Sequence, residues 1–580
     1  MKGNPIDDKP PSYDSLYTPT APPLPHGQRY LNTADHQPSP SVDVFYGLGG
    51  CNPFCPPRSQ ARDNYSSASA PPFPPYTPYT TIKPASTNYI PEQDRKGVLW
   101  SGSGVQVADS GAKRLHAEIT GSLTAGGMTI RTARDKTVDI VTIQLDVFLI
   151  HVPDEDVSLS TETSDDSYRY TLKTPKSLGF KRKVRAFWLI TIPDHWMRPE
   201  RLSASLVNSS IVGLDGLGDI VIGEIDLRTT NARINFETVN ATHLNLITTN
   251  GPIKALAGSA EDITLETTNG PINGYFVAKN NIKAKTTNGA IEMNAEASDV
   301  SLTTTNNFIK GAIDAVKCAN IQSSSGYIQL KVNSAKIKVS TSNGYISGDY
   351  NGKDISIKTT NAKISDINVT SNDAIKIQTT NARIEGNFVA RKEIVLKTTN
   401  AKIESNCRLE ETGGDLNIST SNSTISGNYE APGSDVDLST NNGKIIPSKV
   451  IGRKVKLTTN NSSIKADVII GQQIKATTSH ASIDLRIGLD DSKKRIDVYA
   501  ETSHSMVDVE VPDTVIGTFD VSTAHKSATV EAPNPLNIVF EKSEKEYKMG
   551  RKVPESDKSA YREGKIQIVT RHAPATLTYV

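Results

Sequence analysis

The chain has 580 residues with 64 Lys and Arg against 63 Asp and Glu, a formal net charge of +1. So weak a field gives no reason to expect a nucleic-acid partner, and the sequence holds no run of about eighteen apolar residues that would span a membrane as a helix. Of the 4 cysteines, Cys51 and Cys55 lie in a Pro-rich stretch and Cys318 and Cys407 stand far apart, which makes neither a dense disulfide framework nor a CxxC zinc pattern.

The first segment, "MKGNPIDDKPPSYDSLY", lacks the apolar core of a secretory signal. Nineteen of the 32 prolines fall in the first hundred residues, in runs such as "PTAPPLPHG" and "SAPPFPPYTPYTT" that have no apolar period. Residues 1–100 are therefore expected to be a disordered Pro/Tyr-rich tail. Within it, Pro10, Pro11 and Tyr13 of "PPSY" match the PPxY ligand that WW domains bind as a polyproline helix. A WW-domain protein is the partner this motif suggests. Four-letter matches are common in such tails, as is the overlapping "YDSL" pattern of tyrosine-based sorting signals.

From Val138 the pattern changes. "VDIVTIQLDVFLI" and "VRAFWLITIP" read as long strands, and residues 101–205 are assigned to a β-rich N-terminal cap. A repeat follows over 206–535. Its phrase is Thr-Thr-Asn-small-x-Ile, as in "TTNGPI" at 248–253 and again at 267–272. Sixteen copies begin at Thr229, Thr248, Thr267, Thr286, Thr304, Ser323, Thr341, Thr359, Thr379, Thr398, Thr420, Thr440, Thr459, Thr478, Thr502 and Thr523. "VNSSI" at 207–211 is an earlier, degenerate copy.

The columns define one coil. Five residues after the start stands Ile in fourteen of sixteen copies, with Val507 and Ala528 last. Apolar residues stand two and four before it, as Leu244 and Leu246 do before Thr248, which is a strand with one buried face. The residue after Asn is Gly, Ala or Ser in fourteen of sixteen copies, which is a corner. One such coil cannot bury its apolar face alone, so neighbours must stack. The expected fold is all-β: a parallel β-helix solenoid of about 16–17 coils, at the ~4.8 Å strand spacing roughly 80 Å long. Right-handed coiling is expected because the hexapeptide pattern of left-handed helices is missing. The longer intervals, with "LEETGGD" and "GLDDSKKR", both fall after the Ile and map to one corner. Residues 536–580 are assigned to C-terminal cap strands.

The corner column reads Asn231, Asn250, Asn269, Asn288, Asn306, Ser325, Asn343, Asn361, Asn381, Asn400, Asn422, Asn442, Asn461, His480, His504 and His525. Stacked amides at a corner can bond to one another along the solenoid. The three His are expected to substitute for Asn and not to hold a metal, since they would span twice the strand spacing. The first Thr is expected to cap the buried strand through its hydroxyl. The second Thr faces outward in a neutral rank, and the rank beside it is mixed, which disfavours an ice-binding face. Lys358, Lys363, Arg383, Lys397 and Lys402 project on neighbouring coils and form a candidate basic strip for anionic glycans or lipid heads; an ordinary solvated face is the plainer account.

Residues 189–228, "LITIPDHWMRPERLSASLVNSSIVGLDGLGDIVIGEIDLR", carry a resemblance. A strand ending in "IP", then "LSASLVNSSIVGL", then "GDIVIGEIDLRTTNARI", is similar to the putative adhesin family of β-strand-repeat domains, found in bacteria and also in fungi. The resemblance covers about residues 135–535. It departs from the family in its corner Asn and its Pro-rich head. It implies a rod-like, non-catalytic surface or scaffold module and adds little about a ligand; no cofactor is expected, and a glycan or cell-surface polymer is a candidate partner beside the WW-domain protein. The rival readings are a polysaccharide-active β-helix enzyme, which would need clustered carboxylates on an outer face, and a cytosolic polymer stacked end to end as in bactofilins. Location is open: the missing signal argues for the cytoplasm, the adhesin role for the cell surface.

Overall fold

The structure, a computed structural model, describes residues 98–106, 113–133, 141–164, 166–194, 199–214, 216–490, 495–554 and 561–580. All belong to one compact unit, Pro84–Val580. The tail expected over residues 1–100 lies outside them but for its last three residues, and so does the PPSY motif.

From Ile222–Thr229 to Val507–Val511 the strands follow in chain order through about 15 turns of a parallel β-solenoid. The register follows the Ile column. Ile234 pairs with Ile253, Ile253 with Ile272, and so on through Ile309, Ile328 and Ile346 to Ile483 and Val507. Differences in coil length are taken up away from this column. Single residues are absorbed at bulges, as between Ala255 and Gly258. The two long insertions leave after Ile403–Leu409 and after Ile483–Ile487, at one corner, as the spacing predicts.

Burial explains why the column holds phase. Ile253, Ile272, Ile328 and Ile384 are fully enclosed, and so are the apolar pairs of the facing strand, such as Leu244 and Leu246. Each such side chain contributes about 1.5–3 kcal/mol, and only with a neighbour above and below. Phe236, Phe276, Tyr350, Phe388 and Tyr429 are among the largest side chains buried in the core. A recurrent bulge two residues after Ile requires glycine: Gly311 and Gly348 have φ of 138° and 115°. A Cβ on them would lie 1.9 Å and 2.0 Å from the carbonyl oxygens of Met293 and Leu330 on the preceding coil.

The ends do not follow chain order. Val515–Ser522 is not laid on Arg495–Glu501; Arg562–Val569 lies between them, parallel to both. Likewise Ala575–Tyr579 lies between Val507–Val511 and Ala528–Glu531. The hairpin Ile538–Ser543 and Tyr547–Lys552 then pairs antiparallel along the outer edge of Val515–Ser522. At the other end Arg114–Thr120 lies between Ser167–Lys173 and Arg201–Leu206, and Ala125–Thr132 between Lys183–Ile192 and Ser209–Gly213. Thr142–Ile150 and Val98–Gln106 add antiparallel strands beyond Lys183–Ile192.

The strands of the two assigned caps are of two kinds. Antiparallel strands do cover each end, but 114–132, 167–192 and 562–579 are coils of the solenoid. "TRHAPA" at 570–575 is a further copy of the phrase, with Ala575 paired to both Val507 and Ala528. A parallel edge selects a partner by backbone and side-chain alternation, and chain order places no constraint on that choice.

Candidate functional site: the corner ladder

The first Thr of each phrase is buried, with Thr248, Thr286 and Thr459 at 1–2 % exposure. Its hydroxyl donates to a corner carbonyl of the preceding coil: Thr248 to Ala232 at 2.9 Å, Thr267 to Gly251 at 3.0 Å, Thr286 to Gly270 at 3.1 Å. The same oxygen accepts the N–H three residues on, as Gly270 N–H does onto Thr267 at 3.1 Å. One hydroxyl thus satisfies two backbone groups that the corner would leave unpaired. The bonds also record spatial order: Thr570 donates to Ser505 and Thr523 to Ala573, both at 3.0 Å.

The Asn column forms side-chain ladders. Nδ2 of Asn231, Asn250 and Asn269 donates to Oδ1 of Asn208, Asn231 and Asn250 in turn. Asn288 and Asn306 continue at 2.6 Å each. Ser325 is too short to bridge, and the ladder stops. It resumes from Asn343 through Asn361, Asn381, Asn400, Asn422 and Asn442 to Asn461, at 2.6–2.8 Å. Each amide spends one N–H and one oxygen lone pair on the ladder.

His480, His504, His572 and His525 stack next, in that order, with ring centroids 4.9, 5.2 and 5.1 Å apart. His572 enters the middle of the column because its coil is spliced there; the "TRHAPA" phrase was the signal for it. Nδ1 of His504 donates to the Ser479 carbonyl at 3.1 Å, so the ring takes over the anchoring of the amide. Stacked rings aim their lone pairs side by side and not at one point, and among the described residues no three His, Cys, Asp or Glu gather at metal distance.

One column further, Phe308, Tyr327 and Tyr345 stack at 4.9 and 4.8 Å, and the Lys363 ammonium lies 5.9 Å from the Tyr345 centroid. Tyr327 is thus covered by a ring on each face. The five candidate cations fall into two ranks flanking the corner. Lys358 and Lys397 stand before the first Thr, separated by Gln378. Lys363, Arg383 and Lys402 stand before the Ile. Arg383 and Lys402 are tied to Glu385 at 3.3 Å and Glu404 at 2.8 Å, so the strip is partly neutralised.

A second ladder escaped the sequence reading. Asn368 donates to Asp349 at 2.9 Å, then Asn387, Asn406 and Asn428 follow at 3.0–3.1 Å. It lies beside Asp366, Glu385 and Glu404 in a hollow of about 530 Å³. A larger concavity, about 590 Å³, crosses the C-terminal coils. Within it Lys456 meets Asp437 at 2.7 Å, and Lys475 lies 5.4 Å from the Tyr499 ring centroid.

One arrangement has the outline of a nucleophilic site. His116 Nδ1 lies 2.8 Å from Ser203 Oγ, and Nε2 lies 3.7 Å from Glu118. Burial first, then the Arg169 guanidinium, hold the imidazole below its ordinary range. The bond from Arg169, 2.7 Å long, likewise lowers the Glu118 carboxyl. Ser203 is 6 % exposed and donates to the Leu115 carbonyl at 3.2 Å, so its hydroxyl proton faces away from the ring. Where the ring carries its proton on Nδ1, His116 donates to Ser203 and does not serve it as a base. The cluster ties Arg114–Thr120 to Arg201–Leu206.

No helix among the described residues is long and apolar enough to cross a membrane. No family model and no curated protein matches the chain. Among solved structures it is similar to one described as a putative adhesin from Parabacteroides merdae, at 10% identity and a TM-score of 0.21 over 61% of this chain and 97% of that one. It is also similar to one described as a putative cell adhesion protein from Clostridium sporogenes, at 6% identity and a TM-score of 0.13 over 84% of this chain and 100% of that one.

Proposed function

We propose that this chain is a non-catalytic, adhesin-like rod that binds a glycan or another cell-surface polymer along its repeated corner. The observation that carries this reading is the rank of exposed Thr249, Thr268 and Thr305, with half-buried Thr287 between the last two, beside the Asn ladder. Each rung offers an outward hydroxyl and the unspent N–H and lone pair of an amide. A polymer with regularly spaced hydroxyls can meet many rungs at once, so weak single contacts add up. Some charges elsewhere are spent between coils, as Lys283 with Glu266 at 2.7 Å and Arg453 with Asp435 at 2.8 Å. An enzyme acting on polysaccharide would need two opposed carboxylates about 5–9.5 Å apart over a groove. The carboxylates of the second hollow instead stand in one rank, two of them tied to cations.

The test is co-sedimentation of the full chain with a panel of insoluble cell-wall polysaccharides. Binding to at least one member, with no release of reducing ends, is the expected result. The combined variant Thr249→Lys, Thr268→Lys, Thr305→Lys should weaken it about tenfold or more at an unchanged melting temperature. Equal binding by that variant contradicts the corner as the binding face. Released reducing ends contradict the non-catalytic reading and favour the enzyme.

A further inference from the structure

The coil at 562–579 is a filled slot. Its walls are Arg495–Glu501 with Val507–Val511 on one side, and Val515–Ser522 with Ala528–Glu531 on the other. Only Pro512, Asp513 and Thr514 join the two walls, so the gap of one rung between them is defined by chain that precedes the occupant. The occupant, 562–579, follows both walls in the sequence.

Both edges of the occupant are paired. Ile566 lies between Val498 and Phe519, and Leu577 between Val509 and Val530. Ile568, Ala575 and Leu577 are fully buried. Thr570 and His572 join the hydroxyl and imidazole ladders of the coils on either side. The last residues are recognised individually. The Lys552 ammonium, itself 2 % exposed, lies 4.5 Å from the Tyr579 ring centroid and bonds the Asp513 carboxylate at 2.6 Å. Asp513 N–H donates to the Val580 carbonyl at 2.7 Å, and Val580 N–H to Val511 at 2.9 Å.

We propose that this slot is a binding site for an extended β segment of the 561–580 pattern, and that a second copy of this chain can fill it. The contacts are backbone ladders plus alternate buried side chains, the mode in which an extended peptide augments a sheet. None of them requires that the segment and the walls belong to one chain. Exchange of an identical element preserves every contact and costs only association entropy, so it becomes favourable as concentration rises. Two copies would then be joined at their C-terminal ends, each completing the other's missing rung. The inference stands apart from the proposed ligand of the corner.

Tyr499 and Gln567 face each other across the parallel ladder. Full chains carrying Tyr499→Cys and full chains carrying Gln567→Cys are mixed, unfolded together and refolded at rising concentration. A disulfide joining positions 499 and 567 of different chains, identified by peptide mapping, forms only where one copy fills the other's slot. It is expected to rise with concentration, at least tenfold above a mixture of separately refolded chains. Refolded chains that regain a cooperative melt yet show no such disulfide at any concentration overturn the proposal. A second arm avoids mutating the chain: a labelled peptide of sequence 561–580 is co-refolded with the full chain. Capture of this peptide and not of its Tyr579→Asp form is expected. Equal capture of both, or of neither, overturns specific filling of the slot.

Discussion

Ile328 pairs with Ile309 below and Ile346 above and has no exposed surface. Its neighbour Gln329 faces solvent on the same coil. Ile328→Asp places a carboxylate where no donor can reach it, at a cost of about 4 kcal/mol or more. Gln329→Asp should stay within about 0.5 kcal/mol. Coupling in a solenoid runs from neighbour to neighbour, so the core variant should also split urea unfolding into separate phases for the coils on either side. Circular dichroism through a urea titration checks both. At this scale the sequence was informative, because a buried column tolerates few residue types and repeats them. The paired use of each Thr hydroxyl was less legible. Sequence shows a Thr column, but only the corner geometry shows that one oxygen both donates and accepts. Cys407 is a related case. It occupies an interior position beside Phe388 and Tyr429 in the register, and burial pushes its thiol up to about 12, so it behaves as a small apolar side chain.

The coil is the element, and its corner amide is what varies. Ser325 N–H donates to the Thr305 carbonyl at 2.8 Å, as Asn306 N–H does to Thr287 at 2.9 Å, so the backbone at the break is that of an ordinary rung. Ser325→Asn should join the two ladders by two new amide bonds. The rung is exposed, so the expected gain is about 1 kcal/mol, seen as a higher urea midpoint; an unchanged or lower midpoint would show that the amides contribute nothing to stacking. The first ladder was visible because its offset from Ile never changes. The second was hidden by a bulge. Asn368 stands four residues after Ile364, while Asn387 stands three after Ile384, since Asp366 takes a left-handed turn at φ 54° in the former coil. A fixed-offset alignment loses such a column. Chemistry at exposed positions is not constrained by packing and leaves a fainter trace.

At the scale of the molecule, the number of turns in chain order was close to expectation, and the order of coils at the ends was not. Parallel stacking uses the same alternation for every rung. Nothing in "GKIQIVTRHAPATLTYV" states that it lies inside Val515–Ser522 and not beyond it. The consequence is physical. A solenoid that ended in chain order would expose its last rung as an edge, open to fraying and to pairing with other chains. Here the last described strand is flanked on both sides, and antiparallel strands cover the rung outside it. Amide hydrogen exchange followed by mass spectrometry tests this account most directly. The account predicts that 562–579 exchanges as slowly as Ile445–Thr458 in the middle of the solenoid, and far more slowly than the exposed strand Ile538–Ser543. Exchange of 562–579 as fast as that outer strand would contradict it.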